Sequence, residues 1–313
     1  MRIKLIPALC AVLLVWLASP ALLAQPGGGG AGASELVRKA RDLSRSGDLE
    51  GALAVYREEL AKSPQSVAAL NGAGVTLDLL GRTSEARAYF QKVIGLASSN
   101  QQKVGAYRAM AMSYAFDNNC AKTTEYEELA LKIHTLDGDA YNEGERANEA
   151  ARVCIEAGNF DEAEALYRRG TELGLKEKGI KPERVSLWKF RLEHALARLA
   201  ARRAKADEAK AHIALAKEIL DGDPVMAKDQ LIYFPYLTGY VALWTGDPAT
   251  AITELQKGNQ NDPFMQCLIA MAYEKQGEHD KAVALYRKAA ATTNHNPPAA
   301  FARPFASKKL AAH

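Results

Sequence analysis

One phrase recurs along this chain: a glycine, an alanine five residues later and an aromatic four residues after that. It reads Gly47–Ala52–Tyr56, Gly81–Ala86–Phe90, Gly158–Ala163–Tyr167 and Gly277–Ala282–Tyr286, with Leu255 replacing the aromatic in Gly246–Ala251–Leu255. Self-similarity at a fixed spacing decides architecture before any residue chemistry is considered. The glycine permits positive φ and ends one helix. Asp48 and Asp247 follow two of these glycines as N-caps for the next helix. The alanine suits a close helix crossing, and the aromatic lies one turn further along the same face. Leu70, Ala73, Gly74 and Leu77 keep helical spacing ahead of Gly81, and Pro64 and Pro263 stand where a second helix should stop. The phrase predicts an all-α chain, an α-solenoid of about seven stacked helix-turn-helix hairpins.

These residues resemble the tetratricopeptide repeat family, whose unit is a helix pair with a small residue at position 8, Gly at 15, Ala at 20, an aromatic at 24 and Pro at 32. Gly47 to Gly81 is one full period, and Ala270, Tyr273, Gly277, Ala282, Tyr286 and Ala289 match the last unit. The resemblance spans residues 35–291, with hairpins three and five degenerate. In hairpin three the turn reads Asp117-Asn118-Asn119, and in hairpin five Ala204 stands in the glycine position. The resemblance implies a protein or peptide partner held in a concave groove, and no catalysis; a regulatory or substrate-presenting subunit of an exported enzyme is the alternative.

The N-terminus is of another kind. Arg2 and Lys4 precede an apolar run from Leu5 to Leu17 and then small residues around Ala21 and Ala24. Residues 1–24 are read as a secretory signal, so the protein is expected to be exported, periplasmic or secreted. Retention of this segment as a membrane tether is the alternative. Residues 25–34, with four consecutive glycines, read as a flexible linker. The net charge of +3 falls to about +1 without Arg2 and Lys4, which supports neither nucleic-acid binding nor a membrane-surface patch.

Three of the four cysteines lie beyond the signal. Cys120 opens the second helix of hairpin three and Cys154 lies late in the first helix of hairpin four. Both stand equally far from Asp137, about which the two helices should turn back on each other. A Cys120–Cys154 disulfide is expected in an oxidising compartment, two buried free thiols being the alternative.

No catalytic or metal-binding constellation is recognisable. Walker loops, Cys-x-x-Cys, His-Glu-x-x-His and Gly-x-Ser-x-Gly are missing from the sequence. Asp137-Gly138-Asp139 fails as a calcium loop because Asn142 and Asn148 stand where glycine and glutamate are needed. Carboxylate pairs such as Glu127–Glu128 read as solvated helix faces. Neither cofactor nor metal is expected.

The family resemblance places groove residues at positions 2, 5, 9, 12 and 13 of each first helix. In hairpin six these include Tyr233, Tyr236, Tyr240 and Trp244; in hairpin five Arg191, His194 and Arg198; in hairpin four Asn148 and Arg152. An aromatic wall beside a basic wall suits a carboxylate-bearing ligand. The competing reading makes these aromatics inter-hairpin core. The family's Lys/Asn/Arg carboxylate clamp is not carried, because the paired lysines are missing. Residues 292–313 are expected to form a proline-enforced extended tail in which Phe301 and Phe305 either cap the last hairpin or dock a partner.

Overall fold

The structure, a computed structural model, describes residues 33–312. The expected signal 1–24 and all but the last two residues of the expected linker 25–34 lie outside the described residues.

Among the described residues the chain is helical throughout, in seven antiparallel hairpins. They are α1 (Glu35–Ser46) with α2 (Leu49–Lys62), α3 (Val67–Leu79) with α4 (Thr83–Leu96), and α5 (Asn100–Phe116) with α6 (Cys120–Asp137). Then follow α7 (Ala140–Glu156) with α8 (Phe160–Gly174) and α9 (Pro182–Arg202) with α10 (Ala206–Gly222). A short connector, α11 (Pro224–Gln230) and a 3-10 turn (Leu231–Tyr233), leads to α12 (Phe234–Trp244) with α13 (Pro248–Leu255). Helices α14 (Pro263–Lys275) and α15 (His279–Ala290) form hairpin seven, and a single helix, α16 (Pro297–Ala311), ends the chain.

The recurring phrase does what its chemistry demands. Ala52, Ala86, Ala163, Ala251 and Ala282 are all fully buried, and Tyr56, Phe90, Tyr167, Leu255 and Tyr286 are buried beside them. Tyr56 of α2 lies over Gly72 of α3 and Phe90 of α4 over Gly74, so closely that a Cβ at either glycine would collide with the ring. Gly246 takes φ 93°, and Asp247 then caps α13 by accepting from the Thr250 amide at 3.0 Å. Where the glycine is missing the backbone conformation persists: Asn118 has φ 55° and Ala204 φ 59°. Pro263 does not stop a helix but starts one, at the first position of α14 behind the N-cap Asp262.

Cys120 and Cys154 are disulfide-bonded with their Cα atoms 4.7 Å apart, tying α6 to α7 across the boundary between hairpins three and four. Cys267 is a buried free thiol that donates to the Ala302 carbonyl at 3.5 Å, and burial pushes its pKa up.

The expected extended tail is a helix. Helix α16 begins after the non-helical residues 292–296, and Asn296, extended at φ −153° and ψ 169°, serves as its N-cap, accepting from the Ala299 amide. Pro297 and Pro298 occupy the first two helical positions, where a missing N–H costs nothing. The proline restriction therefore falls on one residue outside the helix instead of on the segment. Helix α16 packs on hairpin seven through Phe301, Phe305 and Leu310, so these aromatics do cap the stack. It also reaches α3, α5 and α7, nearly a full superhelical turn earlier in the chain.

Glu127 is not part of a solvated face. It is 2% exposed and faces Arg146 and Glu149 of α7, whereas its neighbour Glu128 pairs at the surface with Arg169.

Candidate interaction surface

The first helices of hairpins four to six meet side by side, and equivalent positions pair across them. Arg191 near the start of α9 pairs with Glu145 of α7, and Arg202 at its end pairs with Glu156 of α7 at 2.8 Å. Arg202 also donates to the Tyr240 hydroxyl at 3.1 Å, and Tyr240 donates to Glu156 at 2.9 Å. Arg198 donates to the hydroxyls of Tyr236 (3.2 Å) and Tyr167 (3.0 Å). The His194 ring stacks on Tyr236 with centroids 5.4 Å apart. Trp244 closes the row with Arg202 4.3 Å above its ring.

This cluster is dry. Burial pushes Tyr236 up to about 12 and Tyr240 well above the usual phenol range, and it raises Glu156 against the pull of Arg202. Burial, reinforced by the Arg198 charge, holds His194 well below the usual imidazole range, so its ring is neutral at pH 7. The expected aromatic wall and basic wall therefore face each other. Their hydrogen bonds knit hairpins four, five and six into one block.

The remaining expected groove residues are dispersed. Asn148 is buried where α7 crosses α8, its Oδ1 2.5 Å from where a Cβ at Gly170 would stand. Arg152 is exposed and forms no ion pair among the described residues. Tyr233, on the 3-10 turn, is 46% exposed. Glu156, Tyr167 and Phe264 complete the cluster without having been singled out. Glu156 occupies position 13 of hairpin four, so the register that selected Asn148 and Arg152 could have found it. Phe264 lies within 6.5 Å of both Tyr236 and Tyr240 and passes the aromatic contact on to Phe301 of α16.

A different surface stands out by its exposure. Val225, Leu231, Ile232 and Tyr233 of the connector, with Leu215 of α10, account for five of the seven large apolar side chains exposed among the described residues. Ile232 is 61% and Val225 67% exposed. Contiguous exposed apolar surface marks interaction sites. This lip leads directly into α12.

Other chemistry finds no support in the side-chain arrangement. Ser113, Asp78 and His295 form a row, but Asp78 lies in the middle, accepting from Ser113 at 2.8 Å and meeting His295 at 2.8 Å. The imidazole therefore does not touch the hydroxyl, unlike the order a nucleophilic triad requires. Among the described residues no group of three His, Cys, Asp or Glu could hold a metal, and no helix is long and apolar enough to cross a membrane.

Family models described as tetratricopeptide repeat match residues 37–101, 148–169 and 268–299. No curated protein sequence matches the chain. Among solved structures, a tetratricopeptide repeat protein from Parabacteroides merdae is 17% identical over 88% of this chain and 96% of its own, with a TM-score of 0.47. The apo form of RapI is 13% identical over 89% of this chain and 98% of its own, with a TM-score of 0.54. The Cut9 and Hcn1 hetero-tetramer of the APC/C is 16% identical over 88% and 48%, with a TM-score of 0.43. At these identities the likeness is one of fold, and the RapI structure carries it.

Proposed function

Because the chain is a tetratricopeptide repeat protein, we propose that it is an exported, non-enzymatic scaffold that holds a partner protein at the lip of hairpins five and six. The observation that carries this reading is the concentration on one connector of four of the seven large apolar side chains exposed among the described residues, Val225, Leu231, Ile232 and Tyr233. The partner segment is apolar where it meets Leu231, Ile232 and Tyr233. Its acidic end is directed toward the exposed Arg152. Arg198 and Tyr240 serve as the rigid base behind that surface, because Arg198 is already engaged with Tyr236 and Tyr167, and Tyr240 with Arg202 and Glu156. The N-terminal segment with Arg2, Lys4 and the Leu5–Leu17 run supports export.

The test is a photo-crosslinking residue placed in turn at Ile232 and at Leu136, which is exposed on α6 away from the lip. The same crosslinked partner recovered from the 232 site alone, and lost in Leu231→Glu, supports the reading. Equal labelling from both sites counts against it. Terminal sequencing of the mature protein tests export independently; a retained Met1 would refute cleavage.

A further inference from the structure

Helix α16 has two unlike interfaces. Toward hairpin seven it offers Phe301, Phe305 and Leu310 to Cys267, Ala270, Ala282, Tyr286 and Ala289, and Lys309 pairs with Glu274 at 2.7 Å. This is an apolar seat of the kind that holds core helices together. Toward hairpins two to four its apolar contribution is a single small side chain, Ala300, set among Leu49, Leu79, Met112, Phe116 and Val153. The rest of that side is polar and belongs to two residues. His295 meets Asp78 at 2.8 Å and stacks on Phe116 with centroids 5.2 Å apart. Arg303 donates to the Leu79 carbonyl at 2.6 Å and to Thr292 in its own hairpin's exit loop at 2.6 Å.

The groups facing this latch are few. From α3 comes Asp78, fully buried, whose carboxyl is pushed up by burial and pulled back by His295; from α5 comes Ser113, its second partner; from α4 comes Arg87, paired at 2.6 Å with Asp117. Arg303 makes its two hydrogen bonds to main-chain carbonyls. The contact thus contains one histidine–carboxyl hydrogen bond and one cation held by backbone dipoles, with a single small apolar side chain of α16 behind them. Such a contact opens more readily than the apolar seat of α16 on hairpin seven.

We propose that hairpin seven and α16 form one arm that swings away from hairpins two to four, with His295 and Arg303 as its latch. The floor that this uncovers, Leu79, Met112, Phe116 and Val153 around Asp78, is a helix-binding site whose resident occupant is α16 itself. What fits the floor is given by that occupant: an N-capped helix presenting alanine at the contact, with an imidazole or guanidinium directed to Asp78 and to the Leu79 carbonyl. The proposal concerns the floor on hairpins two to four and does not rest on the lip at hairpins five and six.

Methionine oxidation reads the opening directly, because Met112 lies on the floor, Met110 in the N-terminal core and Met265 in hairpin seven, all of them buried. In the full-length double variant His295→Ala/Arg303→Ala, peroxide should oxidise Met112 about fivefold faster than in wild type, with Met110 and Met265 unchanged. Asp78→Asn, which keeps the volume and the Ser113 contact, should move Met112 in the same direction by a smaller factor. A synthetic peptide of residues 294–312, added to the double variant, should restore protection of Met112. Unchanged Met112 in both variants overturns the arm, as does a parallel rise at Met265, which would make α16 an inseparable part of one unfolding unit. Failure of the peptide to protect Met112 at millimolar concentration overturns the helix-binding site.

Discussion

Ala204 holds φ 59° at the turn of hairpin five, a conformation in which its Cβ crowds the backbone. The turn of the stack thus demands left-handed backbone whether or not glycine is present. Asn118 meets the same demand at φ 55° with a residue type that tolerates it. Ala204→Gly should stabilise the protein by about 1 kcal/mol, measured by urea unfolding, whereas Asn118→Gly should gain less. Glu127 makes a second residue-scale prediction. Its Oε1 is buried without a partner, and burial together with the Glu149 charge lifts its carboxyl to about 8. The folded state therefore keeps a proton that the unfolded chain releases near pH 4.5, so this group's contribution falls as pH rises from there toward 8. Glu149, held down to about 2 by Arg146 and Arg108 in spite of its burial, contributes in the opposite sense, losing stability only as pH falls below 4.5. Glu127→Gln should flatten the decline of stability between pH 5 and pH 8. Unfolding free energies at several pH values check it. In the sequence Glu127 is indistinguishable from Glu128, because one step around a helix separates solvent from core and only the neighbouring hairpin reveals which is which.

At the scale of elements, the disulfide closes a loop with a sequence separation of 34 between α6 and α7. Its removal by Cys120→Ala/Cys154→Ala should cost roughly 3 to 4 kcal/mol in the chain-entropy picture, read as the difference in unfolding free energy from the oxidised wild type. This pairing was legible because two helices joined by a tight turn at Gly138 bring residues equally far from the turn to one level. The C-terminal segment was not legible in the same way. Pro297, Pro298 and Pro304 suggest an extended strand, yet the first two sit where a helix accepts proline, and tertiary packing of Phe301 and Phe305 carries the helix past the third. The groove positions show a similar division. Register placed Arg198, Tyr236 and Tyr240 on facing helices, but whether they face water depends on how tightly α7, α9 and α12 approach one another. That distance is set by small residues on other faces, among them Gly144 and Gly174 packed against Trp188.

For the whole molecule, the hydrogen bond between Tyr240 and Glu156 joins hairpins six and four past hairpin five, and α16 joins hairpin seven to hairpins two to four. Repeat stacks with contacts only between neighbours unfold as a sum of local terms. Here the bypassing contacts couple distant repeats, so hairpins four to six should unfold in a single transition. Backbone circular dichroism and fluorescence of Trp188 and Trp244 should then give coincident urea midpoints. The seven-hairpin count and the turn positions followed from the recurring phrase; the superhelical curvature that brings the two ends together did not, because it accumulates from small rotations at every junction.

The meeting of α16 with α3 and α5 has a consequence for how such a chain can change over generations. An open stack tolerates the duplication or loss of a unit, since each new end finds an equivalent neighbour. In this one, adding or deleting a hairpin between α5 and α14 would carry His295 and Arg303 away from Asp78 and Leu79 and leave a carboxylate buried without its partner. The number of units is therefore fixed by geometry, and drift in length is confined to connectors such as residues 223–233 that lie outside the closed circuit.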